Sequence, residues 1–466
     1  MKKTKIVATI SDKRCDVEFL RELYRAGMNV VRLNTAHQGM EQALKVVENV
    51  RKVADDIAIL IDTKGPEVRT TGMKEPMPVD KGEIICLSGE TDFTLDRKLV
   101  HVSYPYFAED IKKGDKILID DGDVEMIVLE KHPHYLEVMV TNEAVIKDRK
   151  SVNVPGASLK LKSLSEKDKA FIDFAIDNNL DFIAHSFVRK KEDVMEIQSI
   201  LDERHSPIKI IAKIENQEGV DNIDEILDHA YGVMVARGDL GIEIEAEKIP
   251  RIQRYIVSKC IESKKPVIVA TQMLHTMIDH PRPTRAEVSD IANAIYMGTD
   301  AVMLSGETAY GSFPVEAVTV MRNVAEANEA SVPPDAERSL VRINNEITAA
   351  LARSAVKTAG LLPIKAIVVD TLSGRTARYL AAFRGSLPVY ARCYNERVMR
   401  ELSLSFGIFP YFTEKPMSRD EFMNDLPAML MQKGIKEDDY VVVVGGSFGR
   451  GKGASFIEVC KIGEIH

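Results

Sequence analysis

Polar residues able to do chemistry recur directly after short apolar runs in the first two-thirds of the chain. Six runs end in this way, in Arg32-Leu33-Asn34, Asp62-Thr63-Lys64, Lys213-Ile214-Glu215-Asn216, Arg237-Gly238-Asp239, Thr271-Gln272 and Ser305-Gly306-Glu307-Thr308. Because residues i and i+2 of a strand share a face, Arg32 can point the same way as Asn34, and Lys213 the same way as Glu215. Brought together, these ends would collect cations, carboxylates and hydroxyls at one site.

Such a set of side chains suits a divalent cation beside a phosphate-bearing substrate. Glu215 and Asp239 would follow neighbouring strands, and two carboxylates completed by substrate and water are a usual way for proteins to hold Mg²⁺. Lys213 and Arg32 next to such an ion would be placed to bind a phosphoryl group.

Each of these residues also has a simpler structural interpretation. The two carboxylates could form ion pairs with Lys213 or Arg237 and hold no metal, and the two cations could form salt bridges to Asp62 and Glu215. Thr271 and Ser305 could cap the helices that follow them. The functional interpretation depends on the agreement of all six strand ends, not on any one of them.

The elements that would position these residues alternate in type. Apolar runs, typical of parallel strands buried on both faces, are mostly separated by amphipathic stretches such as Val17–Ala26, and Thr284 and Glu287 fit a capping box. The runs are Thr4–Ile10, Met28–Leu33, Ile57–Ile61, Leu180–Ala184, Ile208–Ala212, Tyr231–Ala236, Pro266–Ala270 and Asp300–Leu304. Eight alternations predict a (β/α)8 barrel with its active site at the carboxyl ends of the strands; an open doubly wound sheet is the alternative.

Two further segments have a different pattern. Between the third and fourth runs, alternating stretches at Ile117–Ile119, Val124–Leu129 and Tyr135–Val140 lie between turn sequences, which predicts a small β-barrel inserted as a lid over the site. After about Ser331, strands and helices such as Ile347–Thr358 predict an α/β domain with a mainly parallel sheet. We therefore expect a barrel domain in residues 1–65 and 156–332, a lid in 66–155 and a C-terminal domain in 333–466.

Composition and charge narrow the class of protein. The 466 residues are 45% hydrophobic and 29% charged, with a formal net charge of −9, which argues against a disordered chain and against a non-specific nucleic-acid binder. Five cysteines without a CxxC pair argue against structural zinc and for a reducing, cytoplasmic location. No run is long enough for a signal peptide or a membrane span. The charged stretch Arg189–Asp193 is expected to be the exposed start of a helix.

Seven strings of this chain resemble the motifs of the pyruvate kinase family and occur in that family's order. They are Met28–Asn34, Ile61–Glu67, Lys213–Asn216, Met234–Gly241, Ala270–Met273, Pro281–Glu287 and Met303–Thr308. The resemblance covers essentially the full chain. It implies a barrel with a lid and an effector domain, a homotetramer, and the transfer in glycolysis of the phosphoryl group of phosphoenolpyruvate to ADP, giving pyruvate and ATP.

The resemblance also implies a role for each matching residue. Lys213 and Arg32 would hold the transferring phosphoryl group, and Lys213 would stabilise the developing enolate. Thr271 and the backbone at Gly238 and Asp239, at a helix N-terminus, would receive the substrate carboxylate.

Other matching residues would bind the metal, the proton-delivering water and the nucleotide. Glu215 and Asp239 would bind the divalent metal, Mg²⁺ or Mn²⁺. Ser305 and Glu307 match residues of a water chain that protonates the enolate. The residues that match positions near the nucleotide are Arg32, His37 and Lys150.

A potassium site implied by the resemblance departs from the usual pattern. Asn34, Asp62 and Thr63 match three of its ligands, but Ala36 is found where the family usually has serine. Glu67 matches the glutamate that accompanies potassium dependence. We predict a K⁺ dependence that is retained but weakened.

Two loops of the C-terminal domain are predicted to bind an effector phosphate. Thr371–Thr376 combines hydroxyls, a glycine and helix N–H groups, at the loop that the family uses for a phosphorylated sugar. Gly446–Gly453 nearly spells a P-loop but has Gly453 where Ser or Thr is required; a flexible hairpin is the alternative. The expected effector residues are Thr371, Ser373, Gly374, Arg375, Thr376, Arg450 and Lys452.

The sequence alone leaves the nucleotide preference open, because Ser11–Arg14 replaces the Gly-Pro-Ala-Ser usual in the family. The effector is open as well, because relatives differ in the effector that they bind. The sequence also leaves two other functions open. One is a magnesium-dependent carbon–carbon lyase, or a Schiff-base aldolase that uses Lys213. The other is a non-catalytic binding protein, which Ala36 would permit.

Overall fold

The computed structural model describes residues 1–36, 38–332, 334–416, 418–446 and 453–465. Their strands form a closed eight-stranded barrel, a seven-stranded sheet with a separate two-stranded ladder, and a five-stranded sheet. The predicted fold class, a (β/α)8 barrel with an inserted β domain and a C-terminal α/β domain, is confirmed.

Eight parallel strands close the barrel, because the first strand pairs with the eighth as well as with the second. This closure excludes the open sheet. In chain order, barrel strands 1 to 8 are Lys5–Thr9, Val30–Asn34, Ala58–Asp62, Phe182–His185, Lys209–Ile214, Gly232–Ala236, Val267–Ala270 and Ala301–Leu304. Alternate residues such as Val7 and Leu60 fill the barrel interior, while Ile6 and Ile59 face the helices outside. Burial on both faces is the reason that these strands read as continuous apolar runs.

Helices surround the barrel and begin at recognisable caps. Val17–Ala26 follows Asp16, whose side chain accepts from the N–H of Phe19, and ends at Gly27 with φ 126°. The capping box of Thr284 and Glu287 is present as predicted. The helices of this part are Val17–Ala26, Met40–Arg51, Glu166–Asp177, Lys191–Glu203, Gln217–Asp221, Ile223–His229, Arg237–Glu243, Ile249–Glu262, Arg285–Tyr296, Gly306–Ala309 and Pro314–Glu329, with 3-10 turns at Ala246–Lys248 and His275–Ile278.

The insertion between strands 3 and 4 forms the lid. Its strands are Thr70–Thr71, Met77–Val79, Ile84–Ser88, Leu99–Val102, Lys116–Ile119, Val124–Lys131, Leu136–Val140, Ala144–Ile146 and Val152–Asn153, with a short helix at Phe107–Asp110. The two outer strands of the seven-stranded sheet meet, because Thr70 N–H donates to Lys150 O at 2.9 Å and Val152 N–H donates to Val68 O at 2.8 Å. The sheet therefore curls into the small barrel that the turn-rich sequence predicted.

The C-terminal part is a five-stranded sheet in which only the last strand is antiparallel, as predicted. Its strands are Ile364–Thr371, Val389–Cys393, Ile408–Phe412, Tyr440–Gly446 and Ala454–Lys461, and its helices are Glu346–Leu361, Arg375–Ala382, Glu396–Leu402, Arg419–Asn424 and Leu426–Gln432, with a 3-10 turn at Ile462–Glu464. The sequence did not predict Ile408–Phe412, an outer strand that is mostly half-exposed and contains Pro410. No helix in the described ranges is long and apolar enough to cross a membrane.

Buried ion pairs join the C-terminal domain to the amino-terminal end of the barrel. Arg384 Nη2 lies 2.7 Å from Asp300 Oδ2, and both side chains are 4% exposed. Arg400 Nε donates to Asp181 Oδ1 at 2.7 Å. Because Asp300 and Asp181 directly precede strands 8 and 4, this contact leaves the carboxyl ends of the strands to the lid and the candidate site.

Candidate active site

The ends of strands 2, 3 and 5 bring four charged side chains together. Asp62 Oδ2 accepts hydrogen bonds from Arg32 Nε at 2.9 Å and from Nη2 of the same guanidinium. Lys213 Nζ lies 3.5 Å from that oxygen and 2.9 Å from Glu215 Oε1. All four residues are buried. The i, i+2 spacing on strand 5 places Lys213 and Glu215 on one face, as the sequence predicted.

Burial and charge determine the ionisation of this cluster. Burial raises the pKa of Glu215 to about 7, with Asp239 adding to the rise and Lys213 opposing it. Burial alone would raise the pKa of Asp62, but Arg32 and Lys213 hold it below its usual value. Burial alone would lower the pKa of Lys213, but Asp62 and Glu215 raise it above its usual value. Lys213 is therefore a cation, unlike the neutral amine that a Schiff-base aldolase needs.

Two carboxylate oxygens of the cluster fit a cation. Among the described residues, Asp62 Oδ1 and Glu215 Oε1 are buried without a hydrogen-bond partner, although the Lys213 ammonium lies 2.9 Å from the latter. Asp239, in the first turn of the helix after strand 6, is close enough to raise the pKa of Glu215. A buried carboxylate oxygen without a partner, such as Asp62 Oδ1, is costly, and carboxylate oxygens suit hard cations.

Strands 6 and 7 end beside each other at a strained turn. Thr271 and Gln272 have φ of 68° and 54°, a region that residues with side chains rarely adopt. Thr271 Oγ1 donates to Ala270 O at 2.7 Å and accepts from the N–H of Gly238 at 2.8 Å. Arg237 donates to the carbonyls of Ala270 and Thr271 at 3.2 and 2.7 Å. These bonds fix the turn against the end of strand 6.

Glu307 links the loops after strands 7 and 8. Its two oxygens accept from the backbone N–H groups of Leu274 at 3.0 Å and Ser305 at 2.7 Å, and it is 2% exposed. Ser305 precedes the short helix Gly306–Ala309. The structure therefore places Glu307 where it orients Ser305, next to the turn that contains Thr271.

The end of strand 4 contributes residues that the sequence analysis missed. Ser186 Oγ accepts from Lys213 Nζ at 2.8 Å, and the N–H of Phe187 donates to Glu215 Oε2 at 2.6 Å. Both residues directly follow His185, the last residue of the strand. The segment has no residue charged at neutral pH to attract attention, but the rule that active-site residues follow barrel strands would have found it.

The residues predicted to bind potassium lie at the ends of strands 2 and 3. Asn34 Oδ1 accepts from the N–H of Ala36 at 3.1 Å, and the Ala36 side chain is exposed. Thr63 follows Asp62 and accepts, at its hydroxyl, from the N–H of Ser186 at 3.0 Å. Asn34 therefore bonds the backbone at the position where the family's usual serine is missing.

A cleft of about 900 Å³ lies between the lid and the mouth of the barrel. Lys150 and Asp120 line it from the lid, and Asp239 and Glu218 line it from the barrel. Lys150 Nζ is paired with Asp120 Oδ1 at 2.8 Å, so a nucleotide would have to share this lysine. His37, the other predicted nucleotide residue, lies outside the described residues.

The first predicted effector loop has the expected position. Thr371 ends a strand and Arg375 begins a helix, with Gly374 in the left-handed region at φ 74° and Ser373 exposed. Thr376 is buried in the first turn of the helix. Arg450 and Lys452 lie outside the described residues.

Comparison with known proteins identifies the family. The pyruvate kinase barrel domain matches residues 1–318, and the pyruvate kinase alpha/beta domain matches residues 349–460. The chain is 48% identical over 464 residues to the pyruvate kinase of Borreliella burgdorferi, covering 98% of this chain and 97% of that protein.

The chain belongs to the pyruvate kinase family. The pyruvate kinase of Bacillus licheniformis is 43% identical over 477 residues, covering 100% of this chain and 81% of that protein. The crystal structure of a pyruvate kinase from Cryptosporidium parvum matches with a TM-score of 0.93 at 35% identity, over 99% of this chain and 96% of that one. The chain is a phosphotransferase with pyruvate kinase function, in a family that is generally metal-dependent.

Proposed function

We propose that this chain transfers the phosphoryl group of phosphoenolpyruvate to ADP at the barrel mouth, with Lys213 and Arg32 as the groups that bind the phosphoryl oxygens. The single observation that carries the proposal is the buried cluster in which both cations are held by Asp62. Fixed cations in a water-poor site stabilise developing negative charge more strongly than mobile ones in water. Positioning and charge neutralisation are the main requirements of phosphoryl transfer.

Glu215 and Asp239 are proposed to hold the divalent cation, Mg²⁺ or Mn²⁺. When bound, the ion would neutralise phosphoryl oxygens and polarise the enolate oxygen. Support comes from the buried Oε1 of Glu215 and the proximity of Asp239 described above.

A monovalent site for K⁺ is proposed at the ends of strands 2 and 3. Asn34, Asp62 and Thr63 supply the oxygens, and the unpartnered Asp62 Oδ1 supports this set. Ala36 removes one side-chain oxygen, so the site should bind K⁺ more weakly than one with serine.

The remaining roles follow the geometry of strands 6 to 8. The Thr271 hydroxyl and the backbone at Gly238 and Asp239 are proposed to bind the substrate carboxylate, which would replace Ala270 O and Thr271 Oγ1 as the acceptors of the Thr271 hydroxyl and the Gly238 N–H. Ser305, oriented by Glu307, is proposed to order the water that protonates the enolate. For the nucleotide, we propose Arg32, His37 and Lys150.

We further propose a homotetramer in the cytoplasm, with an effector phosphate bound by the C-terminal domain. The exposed Ser373 and the helix start at Arg375 support the effector site, whose proposed residues are Thr371, Ser373, Gly374, Arg375, Thr376, Arg450 and Lys452.

The five cysteines, all described and all free thiols, support a reducing compartment. We also propose the domain boundaries predicted from the sequence, which lie after residues 65, 155 and 332.

A coupled assay of pyruvate release tests these proposals. The chain is incubated with phosphoenolpyruvate, ADP and Mg²⁺, with and without K⁺, and chelation of the divalent ion should abolish turnover. Stimulation by K⁺ would agree with the monovalent site, and turnover indifferent to K⁺ would contradict it. No turnover under any of these conditions, also with sugar phosphates and AMP added, would contradict the proposed reaction.

A further inference from the structure

A hydroxyl outside the recognised motifs lies within the cluster of cations and carboxylates. Ser186 follows strand 4 and is 2% exposed, and its Oγ accepts from Lys213 Nζ at 2.8 Å. The same Oγ donates to the carbonyl of Thr63 at 2.7 Å. Because its one proton is committed to that carbonyl, the hydroxyl faces Lys213 only as an acceptor.

We propose that Ser186 is a positioning residue for Lys213, which it holds at the point where the transferring phosphoryl group binds. The inference rests on the role proposed above for Lys213. Ser186 has no contact with the reacting atoms in this proposal and acts only through the lysine.

A neutral acceptor can position the Lys213 ammonium without neutralising it, which the carboxylates of the site cannot do. A lysine ammonium is a compact charge on a flexible four-carbon stem, so its position has to be fixed from outside. Its other two close partners, Asp62 at 3.5 Å and Glu215 at 2.9 Å, are acids. An acid that fixes the ammonium also offsets its charge, whereas a hydroxyl fixes it and leaves the charge available to the substrate.

Ser186 is itself held rigidly. Its N–H donates to Thr63 Oγ1 at 3.0 Å, so two hydrogen bonds, both donated by Ser186, tie the ends of strands 3 and 4 together. Phe187 has a φ of 55° and donates its N–H to Glu215 Oε2 at 2.6 Å. At Gly65, with φ +72°, a Cβ would come within 2.8 Å of Ser186 Cβ and 2.9 Å of the Phe187 ring. A glycine at this position lets the loop approach, and such supporting contacts are what keep a catalytic side chain in place.

The first test replaces the hydroxyl. Ser186→Ala should lower kcat by about 10- to 100-fold, as loss of a supporting contact typically does, and should leave the KM for ADP unchanged. Ser186→Thr keeps the hydroxyl and should recover most of the rate. Ser186→Cys has a similar size but a weak acceptor, so it should behave like the alanine variant.

A matched control removes a buried hydroxyl elsewhere. Thr299 lies just before strand 8, and its Oγ1 donates at 3.0 Å to the carbonyl of Val267, the first residue of strand 7. This contact is at the opposite end of the barrel from the site. Thr299→Val should leave kcat unchanged while thermal unfolding reports any loss of stability. An equal loss of kcat in this variant would overturn the inference, because the effect would then be one of stability alone.

A double variant separates this inference from the function on which it rests. If Ser186 acts through Lys213, then Ser186→Ala should change the residual rate of Lys213→Met by less than twofold. The double variant also tests whether Ser186 acts through Lys213 if the extra methyl group of the threonine variant disturbs packing against Gly65. A folded Ser186→Ala enzyme with kcat within twofold of the parent refutes the inference alone, provided that Lys213→Met loses about 100-fold or more in kcat; normal turnover of Lys213→Met refutes the proposed role of the lysine.

Discussion

Replacing Lys213 by methionine should abolish most of the turnover without unfolding the protein. With Glu215 ionised, as it would be on a bound cation, the cluster has Arg32 and Lys213 against Asp62, Glu215 and Asp239, a sum of +2 − 3 = −1. A bound divalent cation brings this sum to +1. The substitution lowers it to 0, and it removes the cation that lies between two of the carboxylates.

The expected size of the effect follows from what the ammonium does in the transition state. Removing a fixed group that stabilises developing charge in a buried site typically costs about 3 kcal/mol or more, which corresponds to a fall in kcat of at least about 100-fold. The KM for phosphoenolpyruvate should rise by a smaller factor, because Arg32 and the divalent cation still attract the ground-state phosphate.

The assay is steady-state pyruvate release at saturating ADP and Mg²⁺, with thermal unfolding measured in parallel. Lys259→Met is the matched control, since Lys259 pairs with Asp224 at 2.8 Å on the exposed surface and should retain full turnover. If Lys213→Met kept a kcat within tenfold of the parent, or if the control lost as much, the reasoning from the buried cluster would be wrong.

Three other predictions follow from residues around the site and the domain contact. Ala36→Ser should lower the K⁺ concentration needed for half-maximal activity; an unchanged titration would mean that this position does not face the ion. Arg384→Met should lower the free energy of unfolding by about 3–5 kcal/mol, because it leaves Asp300 buried without its cation, against less than about 1 kcal/mol for Lys259→Met; denaturant midpoints that shift equally would contradict this. Burial lowers the pKa of His185 to about 4 from 6.5. The stability that the neutral imidazole contributes is therefore fully present above pH 6.5, and up to about 3 kcal/mol of the free energy of unfolding is lost as the pH falls towards 4. His185→Gln should therefore reduce the loss of stability over that pH range. A pH profile of stability parallel to that of the parent would refute the attribution to His185.

The barrel and most of the cluster could be predicted because their signals are local. Strands buried on both faces read as continuous apolar runs, and the charged residues that follow them, such as Lys213 and Asp62, are easily seen. The same holds for the cap at Thr284, where the two partners are three residues apart.

Contacts between distant segments could not be predicted in this way. Arg189, expected at an exposed helix start, instead donates to the carbonyls of Leu159 at 2.9 Å and Leu161 at 3.0 Å, and its partner Asp193 is 5% exposed. Lys150 pairs with Asp120, 30 residues away. Only the folded chain brings these partners together, and no periodicity or motif records them.

The contact between Asp300 and Arg384 limits how this protein can be divided. A fragment ending at residue 332 would keep Asp300 and Asp181 at the amino-terminal end of the barrel but would lose Arg384 and Arg400, which pair with them. Asp181 would retain Arg51, at 2.9 Å, whereas among the described residues the Asp300 side chain would keep only the hydrogen bond from the backbone N–H of Val267, at 3.2 Å. A barrel expressed alone should therefore be recovered poorly unless Asp300 is also replaced, and the barrel and the C-terminal domain are not interchangeable modules.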